Sequence, residues 1–519
     1  MEGDPSQPKP SREQPYRQLH EPPHQTPDKT RSKPRPEAPY TPSHTRSTTS
    51  SQPRSHTPSR TSPHKAELLS WFARAAERGD PYAQFNLALM YKNGEGTPRD
   101  DAAACRWLRR AAGQGLAFAQ NHLGSMLFLG RGVPQSDTDA AYWFGRAAEQ
   151  GDPSAQQNLG DMARHGRGMP RDAELAVHWY AKAAEQDLAS AQRRLGECYL
   201  RAEGVPASHP LAMAWFRKAA LLEDAAAEVS LGLMYRHGQG VAPGEAEAVH
   251  WFRRAAARGH APGQRLLGQA CLDGRGTPRD RTAGISWLRC AAGQGDAEAA
   301  WSLGRLLADG PDGQRDEAAA LAWYEQAARR GHAPSQYQLG TLYAQGRGTR
   351  ADPQRALVWY RRAANQGAAN AQFTLGVIYA NGQGVRRNDA MAAEWYRRAA
   401  EQGDASAQNN LGVMYANGLG VCQDDALAVQ WYGLAAEQGH PLAQYNLGGM
   451  YGAGRGVARD SVRSYMWMLL AADAGDAAAS ANKAIVARRL SPREIDSAID
   501  LRRRWHSERS PSGTERRAA

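Results

Sequence analysis

The sequence predicts an all-α solenoid of about eleven helix pairs, each 36 residues long, and three observations carry that prediction. Tryptophan recurs at 71, 107, 143, 179, 215, 251, 287, 323, 359, 395, 431 and 467, a strict period of 36. Two alanines stand four and five residues after every one of these, as in Ala75-Ala76 and Ala399-Ala400. Leucine stands sixteen residues after Trp in every complete unit, from Leu87 to Leu447. Only Trp301 and Trp505 fall outside the series. A repeat of this length marks stacked helix pairs, each able to bury its apolar face only against its neighbours.

Residues 1–64 precede the repeats and hold 14 of the 30 prolines, with abundant Ser, Thr, His and Gln and hardly any aliphatic residues. Such a segment cannot bury enough surface to offset its ordering entropy, so a disordered tail is predicted. Its His20-Glu21-Pro22-Pro23-His24 matches the HExxH metalloprotease string, but that motif needs a helix, and two consecutive prolines forbid a helix interior. Met1 to His64 contain no apolar run of the kind a cleaved signal peptide carries, which makes a reducing cytoplasm the default compartment.

Within each unit, the residue seven before Trp can cap a helix: Asp100, Ser136, Asp172, Ser208, Gly244, Asp280, Asp316, Asp352, Asn388, Asp424 and Asp460. The helix that carries the Trp, called here the Trp helix, ends at the Ala pair. Eight residues after Trp comes Gly in ten units, suited to a left-handed turn, with Asp187 and Glu223 as exceptions. Asp then often follows, as at Asp80, Asp152 and Asp404, in some units with Pro behind it, which is an N-cap and a first helical residue. This second helix, the Leu helix, places a small residue at position twelve after Trp and Leu at sixteen on one buried stripe. It ends at two glycines one residue apart, as in Gly94-Glu95-Gly96 and Gly418-Leu419-Gly420, broken only at Ala202 and Asp312. After the last unit Lys483 replaces the expected Leu, and Ser491-Pro492-Arg493-Glu494 reads as a cap, a first-turn Pro and a capping-box Glu. A closing helix over about 492–505, with Ile495, Ile499 and Trp505, is expected to cover the open apolar end. The predicted organisation is therefore a tail (1–64), a solenoid (65–485), a capping segment (486–505) and a frayed, Arg-rich remainder (506–519).

Segments such as Gly403-Asp404-Ala405-Ser406-Ala407-Gln408-Asn409-Asn410-Leu411-Gly412-Val413-Met414-Tyr415, then Gly418-x-Gly420-Val421, then Ala428-x-x-Trp431-Tyr432-x-x-Ala435-Ala436-x-x-Gly439, resemble Sel1-like repeats, relatives of tetratricopeptide repeats. The resemblance spans roughly residues 66–485. It implies a right-handed superhelix of antiparallel helix pairs whose inner helices line a concave face. It also implies an adaptor role in bacterial signalling, envelope or host-interaction complexes. A non-enzymatic scaffold that binds other proteins or peptides on that face is the function expected. A secreted or translocated host-interaction effector is the alternative, and a β-lactamase-like hydrolase a minor one.

Chemistry is sparse. No Gly-Lys pair exists anywhere, so the repeated Gly-x-Gly is a helix-ending turn and not a phosphate cradle. Ser480-Ala481-Asn482-Lys483 matches the SxxK string of serine β-lactamases, but the companion SDN and KTG strings are missing. Arg78-Gly79-Asp80 is the ordinary turn of this array. Five scattered cysteines (Cys105, Cys198, Cys271, Cys290, Cys422) lack a CxxC spacing and read as packed thiols. His178 and His250 precede their Trp in non-adjacent units, and His260, His332 and His440 occupy capping positions, so they do not converge on a metal. No cofactor and no metal are expected. Formal charge is +11, but residues 1–64 carry ten Lys/Arg against six Asp/Glu and residues 486–519 nine against five. That leaves only +3 on the array, too little for a specific nucleic-acid face. No apolar run approaches the roughly 18 residues of a membrane span.

Position fourteen after Trp points about 160° away from the Leu stripe at 100° per residue. It is filled by Phe85, Asn121, Gln157, Arg193, Val229, Arg265, Trp301, Tyr337, Phe373, Asn409 and Tyr445. Trp301, Tyr337 and Phe373 stand in consecutive units and read as an aromatic ladder for a partner, as Tyr445 does in its own unit. Tyr82, Phe85 and Leu89 form a second patch near the start. Packing between units is the other role open to these rings.

Overall fold

The computed structural model describes residues 63–310 and 315–509. The expected disordered tail, with its His20-to-His24 string, lies outside those residues up to position 62, as do Asp312 and residues 510–519. Among the described residues the chain forms twenty-five helices and no strand. Trp and Leu helices alternate along the chain, and each packs on the one before and the one after, as an α-α solenoid requires.

The helices start and stop where the sequence places caps. Asp100 accepts the Ala103 amide at 2.8 Å, and the other Asp, Ser and Asn caps of the Trp helices do the same, each contributing about 1 kcal/mol. Gly244 caps its helix without a side-chain bond. All Gly residues at position eight have positive φ, and Asp187 and Glu223 keep that conformation at 58° and 65°. A Cβ on Gly79 or Gly151 would meet nothing within 4 Å, so only backbone strain opposes a side chain there. The second Gly of each Gly-x-Gly is under a harder constraint. A Cβ on Gly132 would lie 2.2 Å from the Asp101 carbonyl oxygen, because this turn rests on the first residue of the preceding Trp helix. Ala202, which replaces a first Gly, holds φ at 57°, a conformation that costs an L-residue about 1–2 kcal/mol. Ala202→Gly is therefore expected to stabilise the protein by about 1 kcal/mol, read as a higher denaturation midpoint; an unchanged or lower midpoint would contradict this account.

The core of each joint is the residue after the Trp, packed over a helical glycine that follows the Leu. Phe144 faces Gly124, Tyr180 faces Gly160, Phe216 faces Gly196, and Tyr432 faces Gly412. In each of these pairs an added Cβ would sit 2.7–2.8 Å from the ring. Where the first unit has Ala88 instead of Gly, it has Leu108 instead of a ring, and both are fully buried. The periodic Trp itself is mostly half-buried, and at six of the twelve a basic side chain three residues on lies over its ring, as with Lys218 at 4.3 Å from Trp215 and Arg362 at 4.5 Å from Trp359.

A polar ladder joins the units. Nine of eleven units carry Gln thirteen residues after Trp, and this Gln is buried. Gln120 donates from Nε2 to the Ala112 carbonyl at 3.1 Å, at the Trp helix end, where that oxygen also accepts the Gly115 amide at 3.0 Å. Its Oε1 accepts from Gln150 of the next unit at 2.7 Å. The same two bonds recur at Gln84, Gln156, Gln264, Gln336, Gln372 and Gln408. Two units use other residues. Glu228 replaces Gln and meets Arg254 at 2.9 Å and Arg258 at 3.3 Å, while Arg254 also serves the Ala220 carbonyl at 3.3 Å. Ala300 replaces Gln, and Gln326 reaches the Ala292 carbonyl at 2.7 Å in its stead. At Gln192 the donor expected from the next unit is Leu222, which leaves Oε1 buried without a partner.

The closing helix runs Pro492–Arg509, longer than expected, because Arg509 pairs with Glu437 and donates to its carbonyl at 3.2 Å. Residues 506–509 are thus helical and not frayed. Ser491 and Glu494 form the capping box, with the Ser491 amide donating to Glu494 at 2.7 Å. The helix packs on the Trp helix Ser461–Asp473, with Trp505 edge-on to Trp467 at 6.5 Å, and not across the last Leu helix, Ala477–Ala487. The outward side chains of that last helix are mostly small or polar, with Ala477, Ala478, Ser480, Ala481, Lys483 and Ala484 exposed, and Ile485, 52% exposed, is the large apolar one left uncovered.

Candidate functional site

The Leu helices turn positions eleven, fifteen and eighteen after Trp toward the surface, with fourteen at their margin, and neighbouring units meet along this stripe. Asn158 donates to Asn121 of the preceding unit at 3.0 Å, Asn446 to Asn409 at 3.0 Å, and Asn482 to the Tyr445 hydroxyl at 2.8 Å. The rings of Phe85 and His122 stack at 5.2 Å in the same relation. Position fourteen also meets the next cap: Asn121 with Asp152 at 3.1 Å, Arg193 with Asp224 at 3.3 Å, Arg265 with Asp296 at 3.1 Å, and Trp301 with His332 at 5.8 Å between rings. The face is therefore continuous from unit to unit, and its side chains are the ones that vary.

The residues singled out in the sequence fall into two groups. Tyr82 is 63% exposed. Phe85, Leu89, Trp301, Tyr337, Phe373 and Tyr445 are all partly buried. Tyr337 lies against Tyr360 at 5.7 Å and Phe373 against Tyr396 at 5.8 Å, so these rings spend part of their surface within the core of the array. Phe118 escaped the sequence reading. It is 59% exposed and lies 6.4 Å from Phe85, so that Tyr82, Phe85 and Phe118 form one aromatic patch over two units. The signal was present, since Phe118 repeats Tyr82 after 36 residues at position eleven, but only position fourteen was compared from unit to unit.

Burial in this patch depresses the His122 imidazole to about 4, with Lys92 adding repulsion against its charged form. The folded state thus prefers the neutral ring. Its contribution to stability is present above the unfolded value near 6.5 and is lost as the pH falls toward 4, because the unfolded chain binds the proton more readily. His122→Asn, the residue found at the equivalent Asn158 and Asn446, should flatten part of the decline in melting temperature between pH 6.5 and 4. A decline of the same slope in wild type and variant would refute it.

Comparison with known proteins agrees with this geometry. The Sel1 repeat model matches residues 69–80, 81–116, 117–152, 153–188, 189–224, 225–260, 261–296, 297–332, 333–367, 369–404, 405–440 and 441–476. The chain belongs to the Sel1-repeat family. Among solved structures it is similar to a protective antigen of uropathogenic Escherichia coli with the SLR fold. The two are 35% identical, with a TM-score of 0.55, over 86% of this chain and 96% of that one. It is also similar to a Sel1 repeat protein from Oxalobacter formigenes, at 29% identity and a TM-score of 0.46, over 63% of this chain and 97% of the other. No curated protein sequence matches it.

The family frame begins each Sel1 repeat at the Leu helix, so one repeat is a Leu helix, its Gly-x-Gly turn and the following Trp helix. Ser480 and Lys483 of the SxxK string lie exposed on the last Leu helix. Cys105, Cys198 and Cys271 are buried thiols, and burial raises Cys198 to about 11. Cys290 and Cys422 are exposed, contrary to the packed setting expected, because one takes the outward position three after Trp and the other a loop. His332 and His440 do cap their helices, accepting the Ser335 and Ala443 amides at 3.2 and 3.3 Å, whereas His260 makes no such bond. Among the described residues no cluster of three or more His, Cys, Asp or Glu could hold a metal, and no helix is long and apolar enough to cross a membrane.

Proposed function

We propose that this Sel1-repeat protein is a non-catalytic scaffold that holds other proteins or peptides on the face of its Leu helices. The observation that supports the reading is the division of labour within each repeat. Positions twelve, thirteen, sixteen and seventeen are spent on packing and the Gln ladder. The outward positions vary, and at the first two repeats they leave Tyr82 and Phe118 in solvent. Exposed aromatics side by side are the usual anchors of an interface. The free thiols buried in the core suit a reducing, cytoplasmic setting.

The test is affinity capture from native cells with the full chain, with residues 63–509, and with the full chain carrying Tyr82→Ser and Phe118→Ser. Serine occupies the same position at Ser154, Ser190 and Ser406, so the fold should tolerate it. Partners shared by the first two baits and weakened about tenfold or more by the double substitution are expected. Partners that need residues 1–62, or that ignore both serines, would move the function off this face. The ladder version has its own test, since persistence of the same partners after Trp301→Ala with Phe373→Ala would remove it. A second reading, an exported host-interaction protein, is favoured by the likeness to an E. coli protein described as a protective antigen. It requires residues 1–64 to export a fused reporter, and their failure to do so would withdraw its support.

A further inference from the structure

We propose that the cavity beside Trp301 is a docking site for an acidic, Asp/Glu-rich segment of a partner protein. The proposal rests on the scaffold reading and names the chemistry one stretch of its face would recognise. A cavity of about 320 Å³ opens between the Leu helix Ala261–Asp273, the start of the Trp helix Arg281–Gly293 and the Leu helix Ala297–Ala308. Five arginines line it, Arg236, Arg275, Arg279, Arg281 and Arg305, against a single carboxylate, Asp273. Trp301 forms one wall, with the Arg305 guanidinium 4.9 Å from its ring centre.

The excess charge arises because this unit starts its Trp helix with a cation, Arg281, the one Arg or Lys at that position among the eleven units. The first residue of a Trp helix is Asp or Glu in six of eleven units, and an Arg from a neighbouring turn neutralises it. Arg99 clasps Asp101 at 2.7 and 3.0 Å, and Arg387 clasps Asp389 at 2.8 and 2.9 Å. Arg279 is the counterpart of Arg99 and Arg387, but the residue it should clasp is Arg281. Arg281 also sets a positive charge at a helix start, where the dipole disfavours it. Arg275 is the counterpart of Arg167, which pairs with Asp137 at 2.9 Å, yet the matching Glu245 is engaged by Arg236 at 3.6 Å, and Arg275 reaches only Asp273 at 4.0 Å. Among the described residues Arg279, Arg281 and Arg305 have no carboxylate partner.

A second observation points to a ligand independently of charge. Ser302 lines the cavity while only 7% exposed, and its hydroxyl has no hydrogen-bond partner among the described residues. Gln269, on the same wall, is likewise without one. A carboxylate-bearing segment would satisfy these donors, accept paired N–H bonds from the guanidinium forks and lie against the indole. Trp301, Ser302 and Arg305 sit at positions fourteen, fifteen and eighteen, so the cavity is continuous with the face assigned to partners.

The experiment titrates the full chain into a fluorescein-labelled decapeptide of Asp, Glu, Gly and Ser, into its Asn/Gln counterpart, and into a phosphoserine peptide with no Asp or Glu. The acidic peptide should bind at least about tenfold more tightly than the amide one and weaken steeply with salt. Arg281→Asp restores the array's own pairing, so it should keep or raise the melting temperature while weakening the acidic peptide about tenfold. Arg305→Gln, on an exposed position, should weaken it similarly. Unchanged affinity in both variants, or equal binding of the amide peptide, overturns the proposal. Tighter binding of the phosphoserine peptide than of the acidic one overturns the carboxylate assignment. Tyr82→Ser with Phe118→Ser should leave this titration untouched. Capture that persists in that variant, with the acidic peptide still preferred, counts against the aromatic patch alone, and weakened capture with no preference for the acidic peptide counts against this cavity alone.

Discussion

Gly232→Ala is expected to destabilise the array by about 1–3 kcal/mol, although alanine is the better helix former by about 1 kcal/mol. The reversal follows from one distance. A Cβ on Gly232 would lie 2.4 Å from Cε1 and 2.7 Å from Cδ1 of Phe252, a ring with no exposed surface and no room to retreat. Either the ring leaves its rotamer or the two helices separate, and both disturb every contact at that joint. The compensating change is already present in the chain, where Ala88 faces Leu108. Gly232→Ala combined with Phe252→Leu should therefore recover most of the loss. Because a solenoid's stability is close to a sum of unit and joint terms, hydrogen exchange of the helices Ala225–His237 and Glu245–Ala257 is the readout of choice, beside bulk denaturation. Equal or greater protection in the single variant would show that the ring–glycine contact does not limit how closely these helices pack.

Removing both Arg254 and Arg258, as alanines, should cost about 3–5 kcal/mol, the largest effect expected of any change discussed, because it strands the Glu228 carboxylate. That side chain is 0% exposed, its Oε2 already lacks a partner, and its Oε1 relies on the two guanidinium groups. The Ala220 carbonyl loses its Arg254 donor in the same step. The array also supplies the control. Glu228→Gln with Arg258→Gln rebuilds the Gln–Gln bond found at seven other joints and should be near neutral, since the first of the new amides would reach Ala220 as Gln120 reaches Ala112. A mild effect of the double alanine variant, or a severe one of the double glutamine variant, would show that the ion pair is not what holds this joint.

These two experiments separate what repeats from what varies. The caps, the glycine turns and the Ala/Leu stripe were legible because each is a local demand of the backbone or of helix periodicity, met at the same place in every unit. Asp100, Gly79 and Leu87 need only their own neighbours to be understood. The buried Gln was equally periodic, yet its purpose was not legible, because its two partners lie eight residues back and thirty residues on. The glycine after the Leu was hidden for the same reason. It looks like a poor helix former until the ring twenty residues later is placed upon it. The closing helix shows the limit from the other side: its capping box is local and was readable, while its resting place on Ser461–Asp473 depends on Trp467, Trp505 and Glu437 coming together.

The same division applies to the candidate site. Tyr82 and Phe85 were found by counting along one helix, whereas Phe118 belongs to them only because two Leu helices lie side by side. Trp301 was conspicuous as a residue out of series, but the five arginines around it are spread from 236 to 305 and carry no motif. By itself, then, the sequence determined that this protein is a stack of 36-residue helix pairs, since that follows from local propensity and a period written twelve times. The tertiary structure alone decided which side chains are consumed by the joints and which charges are left unpaired, because burial and Coulomb interactions depend on distances between units that no single unit encodes.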